Sequence, residues 1–287
     1  MSDIVIVPCY ERPEFTTLCL EYLSRAGGIE EKNVWLCQDQ HFGSSVSSDV
    51  MDSVVELGQD LFKERFRRRL LEPHGTYGNS VNLLESLKAA HRSGARRIFL
   101  VEDDIMVTPD FFKWHEAILE EPQVFVSCAT AVNKSAHFPI NGRYAMDESF
   151  QDPNAYYLSV TAYSSHAAAF KRNNVGMVLD HLANDRIYET LQSGNEQDIL
   201  IQKLLPETGL ESAWPYVPRA FNVGFYSYHI SGQKLSGSLN EKVQSLRNII
   251  QDPATLKTVA FGNQAVTPIP ADVSPWDGSV CNIQRYK

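Results

Sequence analysis

The sequence has no long apolar run and begins without a basic leader. The first apolar stretch covers only residues 4–7, and no later stretch approaches the roughly 18 apolar residues that a membrane-spanning helix requires. These features argue against a secretory signal and against a transmembrane segment. We therefore expect a cytoplasmic protein.

Cysteine is also scarce, and no two cysteines have the spacing of a metal-ligand pair. Most of them lie within apolar patterns, which is typical of reduced thiols in a protein core. The five cysteines are Cys9, Cys19, Cys37, Cys128 and Cys281.

Positive charge is in deficit, with 26 Lys and Arg against 35 Asp and Glu and a formal net charge of −9. A protein held to nucleic acid by its overall field would have the opposite balance. One basic run, residues 63–69, remains as either a solvated helix face or a local basic surface. A glycine-rich phosphate loop with a lysine is missing after the first apolar run, which disfavours a sugar nucleotidyltransferase.

Short β-branched runs alternate with amphipathic segments along the chain. Strands are predicted at 4–7, 33–37, 98–101 and 124–128, and helices from Pro13, at 52–71, 79–91, 175–183 and 196–205. Residues 133–155 are typical of loops, and 155–170 of extended chain. This alternation predicts an α/β fold with a mostly parallel sheet flanked by helices. The proline-containing segment 251–287 is expected to form a C-terminal arm on a single domain, residues 1–250.

Three adjacent carboxylates, Glu102, Asp103 and Asp104, follow the apolar strand at 98–101 and precede a helix start at Pro109. Their mutual repulsion calls for a compensating cation or for solvent. Carboxylate oxygens suit Mg²⁺ or Mn²⁺, and such ions commonly bridge protein carboxylates to substrate phosphates. The alternative is a solvated acidic turn ahead of a capped helix.

Loops at the carboxyl ends of three predicted strands are the expected ligand site. Ligands of open α/β sheets bind outside the carboxyl ends of the strands. The three loops are residues 8–12, 38–43 and 102–104.

The strand that ends in Glu-Asp-Asp and continues into Pro-Asp-Phe-Phe resembles the acidic signature of GT-A-fold glycosyltransferases. Within them it is most similar to the N-acetylglucosaminyltransferase I type. The resemblance covers about residues 4–250 and is strongest at 98–114. It implies a GT-A-like, Rossmann-related fold, with a donor half at about 1–130 and an acceptor half at about 131–250.

The resemblance also implies roles in donor binding. Asp104 would ligate Mn²⁺ or Mg²⁺, and Glu102 and Asp103 would hold the sugar and ribose of a nucleotide-sugar. Arg12 would lie near the base and diphosphate, and Asp39 would contact the uracil. The alternative roles are a surface helix start for Arg12 and a strand-end turn cap for Asp39.

Further positions are assigned from the same resemblance. Tyr77 and Asn79 belong to a segment that would touch the nucleotide, although Asn79 is equally suited to cap a helix. His229 would be a second metal ligand or a diphosphate contact, with a structural histidine as the alternative. Lys234 lies in a Ser/Gly-rich loop that would close over the diphosphate.

An inverting transfer needs a base for the acceptor hydroxyl. The resemblance points to Asp198, with Glu196 as second choice. The alternative is that both are acidic residues without a catalytic role in the first turn of a helix, where the helix dipole favours negative charge.

The sequence thus predicts a metal-dependent, inverting hexosyl- or N-acetylhexosaminyltransferase with a UDP-sugar as favoured donor. The similar enzymes carry a Golgi anchor, whereas a bacterial or viral enzyme fits this chain better. The expected acceptor is a glycan or a modified DNA base such as a hydroxymethylated pyrimidine. The alternatives are a non-catalytic carbohydrate- or DNA-binding module and a sugar nucleotidyltransferase. The sequence does not determine the oligomeric state.

Overall fold

The fold is taken from a computed structural model that describes residues 2–10, 12–39, 48–70, 79–133, 138–140, 144–146, 156–184, 196–215, 218–224, 235–251, 266–268 and 283–285. The strands are β1 Asp3–Cys9, β2 Lys32–Gln38, β3 Phe66–Leu70, β4 Arg97–Val101, β5 Ile105–Val107, β6 Val124–Cys128, β7 Ala131–Asn133, β8 Phe138–Ile140, β9 Tyr144–Met146, β10 Tyr156–Ser159, β11 Ala167–Lys171, β12 Glu211–Pro215, β13 Ala220–Asn222, β14 Val266–Pro268 and β15 Ile283–Arg285. The helices are α1 Pro13–Ser24, α2 Ser48–Phe62, α3 Asn79–Arg92, α4 Phe111–Leu119, α5 Arg172–Asn184, α6 Glu196–Thr208 and α7 Leu239–Gln251.

Across these ranges the main sheet has nine strands in the order β15-β10-β12-β6-β11-β4-β1-β2-β3. Five of the eight neighbouring pairs are parallel, which confirms the predicted mostly parallel sheet. β11 runs antiparallel between β4 and β6. The amino end of β11 therefore lies at the same edge as the carboxyl ends of β4, β1 and β2, and this edge is called the carboxyl edge below.

Helices cover both faces of the sheet, as the continuous apolar strands require. Alternate residues of β1 show the two faces. Val5 and Val7 pack into a core with α1, α2, α4 and α7. Ile4 and Ile6 pack into a second core with α3, α5 and α6. The sheet is thus rigidly held between two apolar layers.

The prediction of one helix over 52–71 is wrong at its carboxyl end. α2 ends at Phe62, and residues 66–70 form the edge strand β3, parallel to β2. The ring of Phe66 packs so closely on Gly58 that a Cβ there would overlap it. The packing of β3 back onto α2 therefore depends on a glycine within the helix. Hydrophobic periodicity in the sequence does not reveal this requirement.

Three arginines of the basic run contact other parts of the protein. Arg65 donates hydrogen bonds to the backbone carbonyl oxygens of Ile29 and Lys32. Arg68 pairs with Asp52 at 2.7 Å. Arg69 lies over the ring of the β2 tryptophan at 4.8 Å. Residues 66–69 of the run thus belong to an edge strand and not to a helix face, and Arg67 and Arg69 are exposed there, so the alternative of a local basic surface stays a prediction.

Two short stretches of the predicted C-terminal arm pair with the rest of the chain. β15 adds to the edge of the main sheet beside β10, and β14 pairs with β9. Four of the cysteines, Cys9, Cys19, Cys37 and Cys128, are buried free thiols as predicted, and Cys281 lies outside the described residues. No helix in the described ranges has the length and apolar character needed to cross a membrane.

Candidate functional site

The acidic turn between β4 and β5 is buried although it carries three carboxylates. Glu102, Asp103 and Asp104 are 8%, 3% and 5% exposed. The turn is held by its backbone, because Glu102 N donates to His166 O at 3.1 Å and Val223 N donates to Asp104 O at 2.9 Å. The carboxylates are therefore fixed at the carboxyl edge, as the sequence predicted for this ligand site.

Arg12 provides the nearest positive charge to the acidic turn. It precedes α1, whose first residue is Pro13, and its side chain makes no capping bond to that helix. The guanidinium donates to Asp104 Oδ2 at 2.6 Å and also to Asp103 Oδ1. Burial lowers the pKa of Arg12, but the charges of Asp103 and Asp104 outweigh that effect and raise it. The first and third of the predicted loops, residues 8–12 and 102–104, thus lie next to each other.

One arginine does not compensate the whole acidic turn. Burial raises the pKa of Asp103; the charge of Arg12 lowers it, but those of Asp104 and Glu102 raise it, and the net shift is upward. Burial is the largest cause of this shift, and the two neighbouring carboxylates add to it. A cation bound beside the turn would favour the ionised form of Asp103.

Asp104 is the member of the turn that fits a metal ion best. Its Oδ1 is buried and has no hydrogen-bond partner in the part of the chain that the structure describes. Gly224 packs so close to the same carboxylate that a Cβ there would overlap Oδ2. Among the described residues, no group of three or more His, Cys, Asp or Glu is arranged as a metal site. Asp104 would thus supply one hard oxygen ligand, and a substrate phosphate would have to supply others.

Asp198 lies beside the acidic turn, although it is distant in the sequence. It stands in the first turn of α6, and its Oδ1 accepts a hydrogen bond from Ser165 N at 3.1 Å. The Ser165 hydroxyl donates to Glu102 Oε1 at 2.5 Å. Burial raises the pKa of Asp198 to about 6, and the charge of Glu102 contributes to the rise. A carboxylate with this pKa is ionised at neutral pH and accepts a proton readily.

Asp39 lies at the same edge, at the end of β2. Its backbone N donates to Cys9 O at the end of β1 at 3.0 Å. Asn82 from α3 donates to the carbonyl oxygens of Cys9 and Cys37 and so ties the two strand ends together. The second predicted loop therefore starts next to the first.

The remaining predicted site residues are not tested by this geometry. Tyr77, His229 and Lys234 lie outside the described residues. Asn79 and Glu196 are the first residues of α3 and α6, but their side chains lie outside the described part of the chain. Their roles stay predictions.

Sequence reasoning missed two residues of the site, Ser165 and His166. Both precede β11, which was predicted only as extended chain. The Nδ1 of His166 is buried and has no hydrogen-bond partner within the described ranges, and the charge of His166 lowers the pKa of Asp198. The available signal was the polar triplet Ser-Ser-His directly before an apolar strand.

The mixed sheet between two helical layers, with an acidic turn after a central strand, defines a GT-A-like fold. This chain is similar in fold to the crystal structure of residues 1–349 of TarS from S. aureus, with a TM-score of 0.50 and 16% sequence identity. The match covers 78% of this chain and 61% of the chain in that structure, so this chain spans about three fifths of its length. At this identity the likeness establishes the fold alone.

A second solved structure is similar to a lesser degree. It is the galactosyltransferase LgtC in complex with donor and acceptor sugar analogues, with 8% identity, 70% of each chain covered and a TM-score of 0.43. That score is too low to support an argument. No known protein family profile matches the chain, and no curated protein sequence matches it. The resemblance to the N-acetylglucosaminyltransferase I type stays a prediction.

Proposed function

We propose that this protein is a metal-dependent glycosyltransferase that binds a nucleotide-sugar at the carboxyl edge of its sheet. One observation carries the proposal. Four carboxylates, Glu102, Asp103, Asp104 and Asp198, gather at this edge, and a buried oxygen of Asp104 has no hydrogen-bond partner among the described residues. Uncompensated buried carboxylates are costly unless a ligand completes the site.

Asp104 would hold the metal through Oδ1, in line with the hard-oxygen preference of Mn²⁺ and Mg²⁺. When bound, the ion neutralises charge on the diphosphate leaving group. Arg12 is within reach of the same phosphates, because its guanidinium already contacts Asp104. Glu102 and Asp103 would accept hydrogen bonds from sugar and ribose hydroxyls, and Asp39 would contact a uracil base.

Asp198 would take the proton of the acceptor hydroxyl. It is ionised above pH 6 and stands next to Glu102, separated from it by one serine. A base of this kind suits an inverting transfer, in which the acceptor oxygen attacks as the diphosphate leaves.

We propose a glycan hydroxyl as the acceptor. A DNA acceptor would need a free basic face. Arg65 and Arg68 are tied to backbone carbonyls and to a carboxylate, but Arg67 and Arg69 are exposed at the edge of β3, so a modified DNA base stays the alternative acceptor. The donor sugar, whether hexosyl or N-acetylhexosaminyl, and a cytoplasmic location stay predictions from the sequence.

The test is donor binding and slow UDP release with a panel of UDP-sugars, in Mn²⁺ and in EDTA. Asp104→Asn is the informative variant, and Asp3→Asn is the matched control. Asp3 is also a 5%-exposed carboxylate, but it lies at the opposite edge of the sheet. We expect metal-dependent binding in the wild type and in Asp3→Asn and its loss in Asp104→Asn.

The other outcomes point to other functions. If no UDP-sugar or other nucleotide-sugar binds with any divalent metal, the proposal is wrong. A non-catalytic carbohydrate- or DNA-binding module then becomes the better hypothesis. Binding of a sugar phosphate together with a nucleoside triphosphate would indicate a nucleotidyltransferase. Equal binding by Asp104→Asn and the wild type would remove Asp104 from the metal site.

A further inference from the structure

We infer that Ser165 is a positioning residue that fixes the donor-side carboxylate Glu102 and the acceptor-side base Asp198 in one arrangement. The inference rests on the proposed function. Its basis is that a single residue bonds both carboxylates: its hydroxyl donates to Glu102 Oε1 at 2.5 Å, and its backbone N donates to Asp198 Oδ1 at 3.1 Å.

The backbone around Ser165 is itself held against the acidic turn. The next residue, His166, accepts a hydrogen bond from Glu102 N, and β11 then pairs with β4 through Ala167 and Val101. Ser165 is only 2% exposed. Both of its donors are therefore aimed by a buried backbone and not by a mobile loop.

The carboxylates of Glu102 and Asp198 repel each other, because the charge of Glu102 disfavours the ionised form of Asp198. Each carboxylate keeps a fixed orientation only if a hydrogen bond holds it. Hydrogen bonds to charged acceptors in a buried site are stronger than neutral ones. Glu102 would face the donor sugar, and Asp198 would face the acceptor. Ser165 would therefore set the spacing between the two substrates.

Other groups also face Asp198 and have to be considered in any pH measurement. His166 stands beside it and favours its ionised form, whereas Glu102 disfavours that form. The hydroxyl of Tyr163 and the thiol of Cys128 feel the charge of Asp198 from the segment before β11 and from β6. These groups are unchanged by a substitution at Ser165.

The test compares Ser165→Ala with Ser164→Ala. Ser164 is the adjacent serine and is similarly buried, with 1% of its surface exposed. Its hydroxyl accepts a hydrogen bond from the backbone N of His166 instead of donating one to a carboxylate. We expect Ser165→Ala to lower kcat about tenfold, the size expected for a lost hydrogen bond to a charged group. The KM for the donor should change less than threefold, and the acidic limb of the pH–kcat profile should move to higher pH. Ser164→Ala should leave all three within about twofold.

Two further variants separate positioning from folding. Ser165→Thr keeps a hydroxyl and should restore most of kcat, whereas Ser165→Cys keeps the size but donates weakly and should not. In a Glu102→Gln background, Ser165→Ala should have little further effect, because the hydroxyl no longer orients a carboxylate. Thermal unfolding of each variant identifies any that fail to fold.

The inference is wrong if Ser165→Ala and Ser165→Cys, both folded, keep wild-type kcat and pH profile, or if the effects of Ser165→Ala and Glu102→Gln simply add. These results leave the proposed function intact, because that function is judged by metal-dependent donor binding in the wild type and by its loss in Asp104→Asn. A wild type without donor binding or transfer would overturn both together.

Discussion

Two charged clusters lie at opposite ends of the same strands, and they differ in how completely their charges are matched. At the amino edge, Asp3 accepts hydrogen bonds from Arg96 and Arg97 at 2.6 to 3.1 Å. Glu116 pairs with Lys32 at 2.8 Å and with Arg97 at 2.9 Å. Three cations face two carboxylates, and the pKa of Asp3 is lowered, because the two arginines outweigh the effect of its burial.

At the carboxyl edge the balance is reversed. In the described part of the chain, Arg12 is the cation that pairs with the acidic turn, and burial together with neighbouring negative charge raises the pKa of Asp103 and Asp198. The amino-edge cluster is complete within the protein, as is typical of a structural ion-pair network. Among the described residues, the carboxylates of the carboxyl-edge cluster outnumber the cations that pair with them, as is typical of a ligand site.

The largest expected effect comes from Asp198→Asn. The amide keeps the shape of the side chain and can still accept from Ser165 N, but it cannot take a proton. We expect kcat for transfer to fall about a hundred- to ten-thousandfold, the range for loss of a general base. Donor affinity, measured by calorimetry, should stay within about threefold. A kcat within threefold of the wild type would remove Asp198 as the base.

The two clusters should respond oppositely to neutralisation when stability is measured. Asp3→Asn leaves Arg96 and Arg97 without their buried partner and should lower the free energy of unfolding by about 2 kcal/mol; the exposure of Arg96 keeps this below the cost of breaking a fully buried pair. Asp104→Asn removes one of three crowded carboxylates, while Arg12 keeps Asp103. In EDTA it should leave stability unchanged or raise it by about 1 kcal/mol.

Urea unfolding of both variants and the wild type at pH 7.5 checks this. A loss at Asp104→Asn equal to that at Asp3→Asn would mean that the acidic turn is as fully compensated as the amino-edge cluster.

The carboxyl-edge half of this contrast could be predicted from the sequence, because it depends on strand order, whereas the amino-edge cluster was not predicted. Acidic residues after the strand at 98–101 and Arg12 after the first strand were expected at one edge, and the structure brings them together. Ser165 was not predicted, because its bonds join residues 63 and 33 positions away and depend on how β11 enters the sheet. The strand at 66–70 was missed because a basic run following a helical pattern gives no local sign of a reversal.

The pH dependence of stability should also separate the clusters. Asp198 has a folded-state pKa of about 6, above its unfolded value near 4. Its contribution is therefore present below pH 4 and is lost as pH rises through about 6. In EDTA, the wild type should lose about 1–2 kcal/mol relative to Asp198→Asn between pH 4.5 and 7.5.

Asp3 has the opposite sign. Its lowered pKa gives stability that is present above its unfolded pKa and lost only as pH falls through the folded value. The difference between the wild type and Asp3→Asn should thus be nearly constant from pH 4.5 to 7.5. A flat difference for Asp198→Asn as well would contradict the raised pKa of Asp198.

The smallest expected effect is that of His166→Gln. The charge of His166 favours the ionised form of Asp198, so its removal should move the acidic limb of the pH–kcat profile to higher pH. The kcat at pH 8, where Asp198 is ionised in both proteins, should change less than about threefold. A loss of kcat at all pH values would indicate that His166 itself takes part in the reaction.

The central claim is that Asp104 completes a metal and diphosphate site. The most direct measurement is anomalous diffraction at the manganese edge from crystals soaked with Mn²⁺ and UDP. The account predicts one strong peak about 2.2 Å from Asp104 Oδ1, close to a phosphate oxygen of UDP. UDP bound at the carboxyl edge without a peak at Asp104, or a peak at another group of residues, would contradict it.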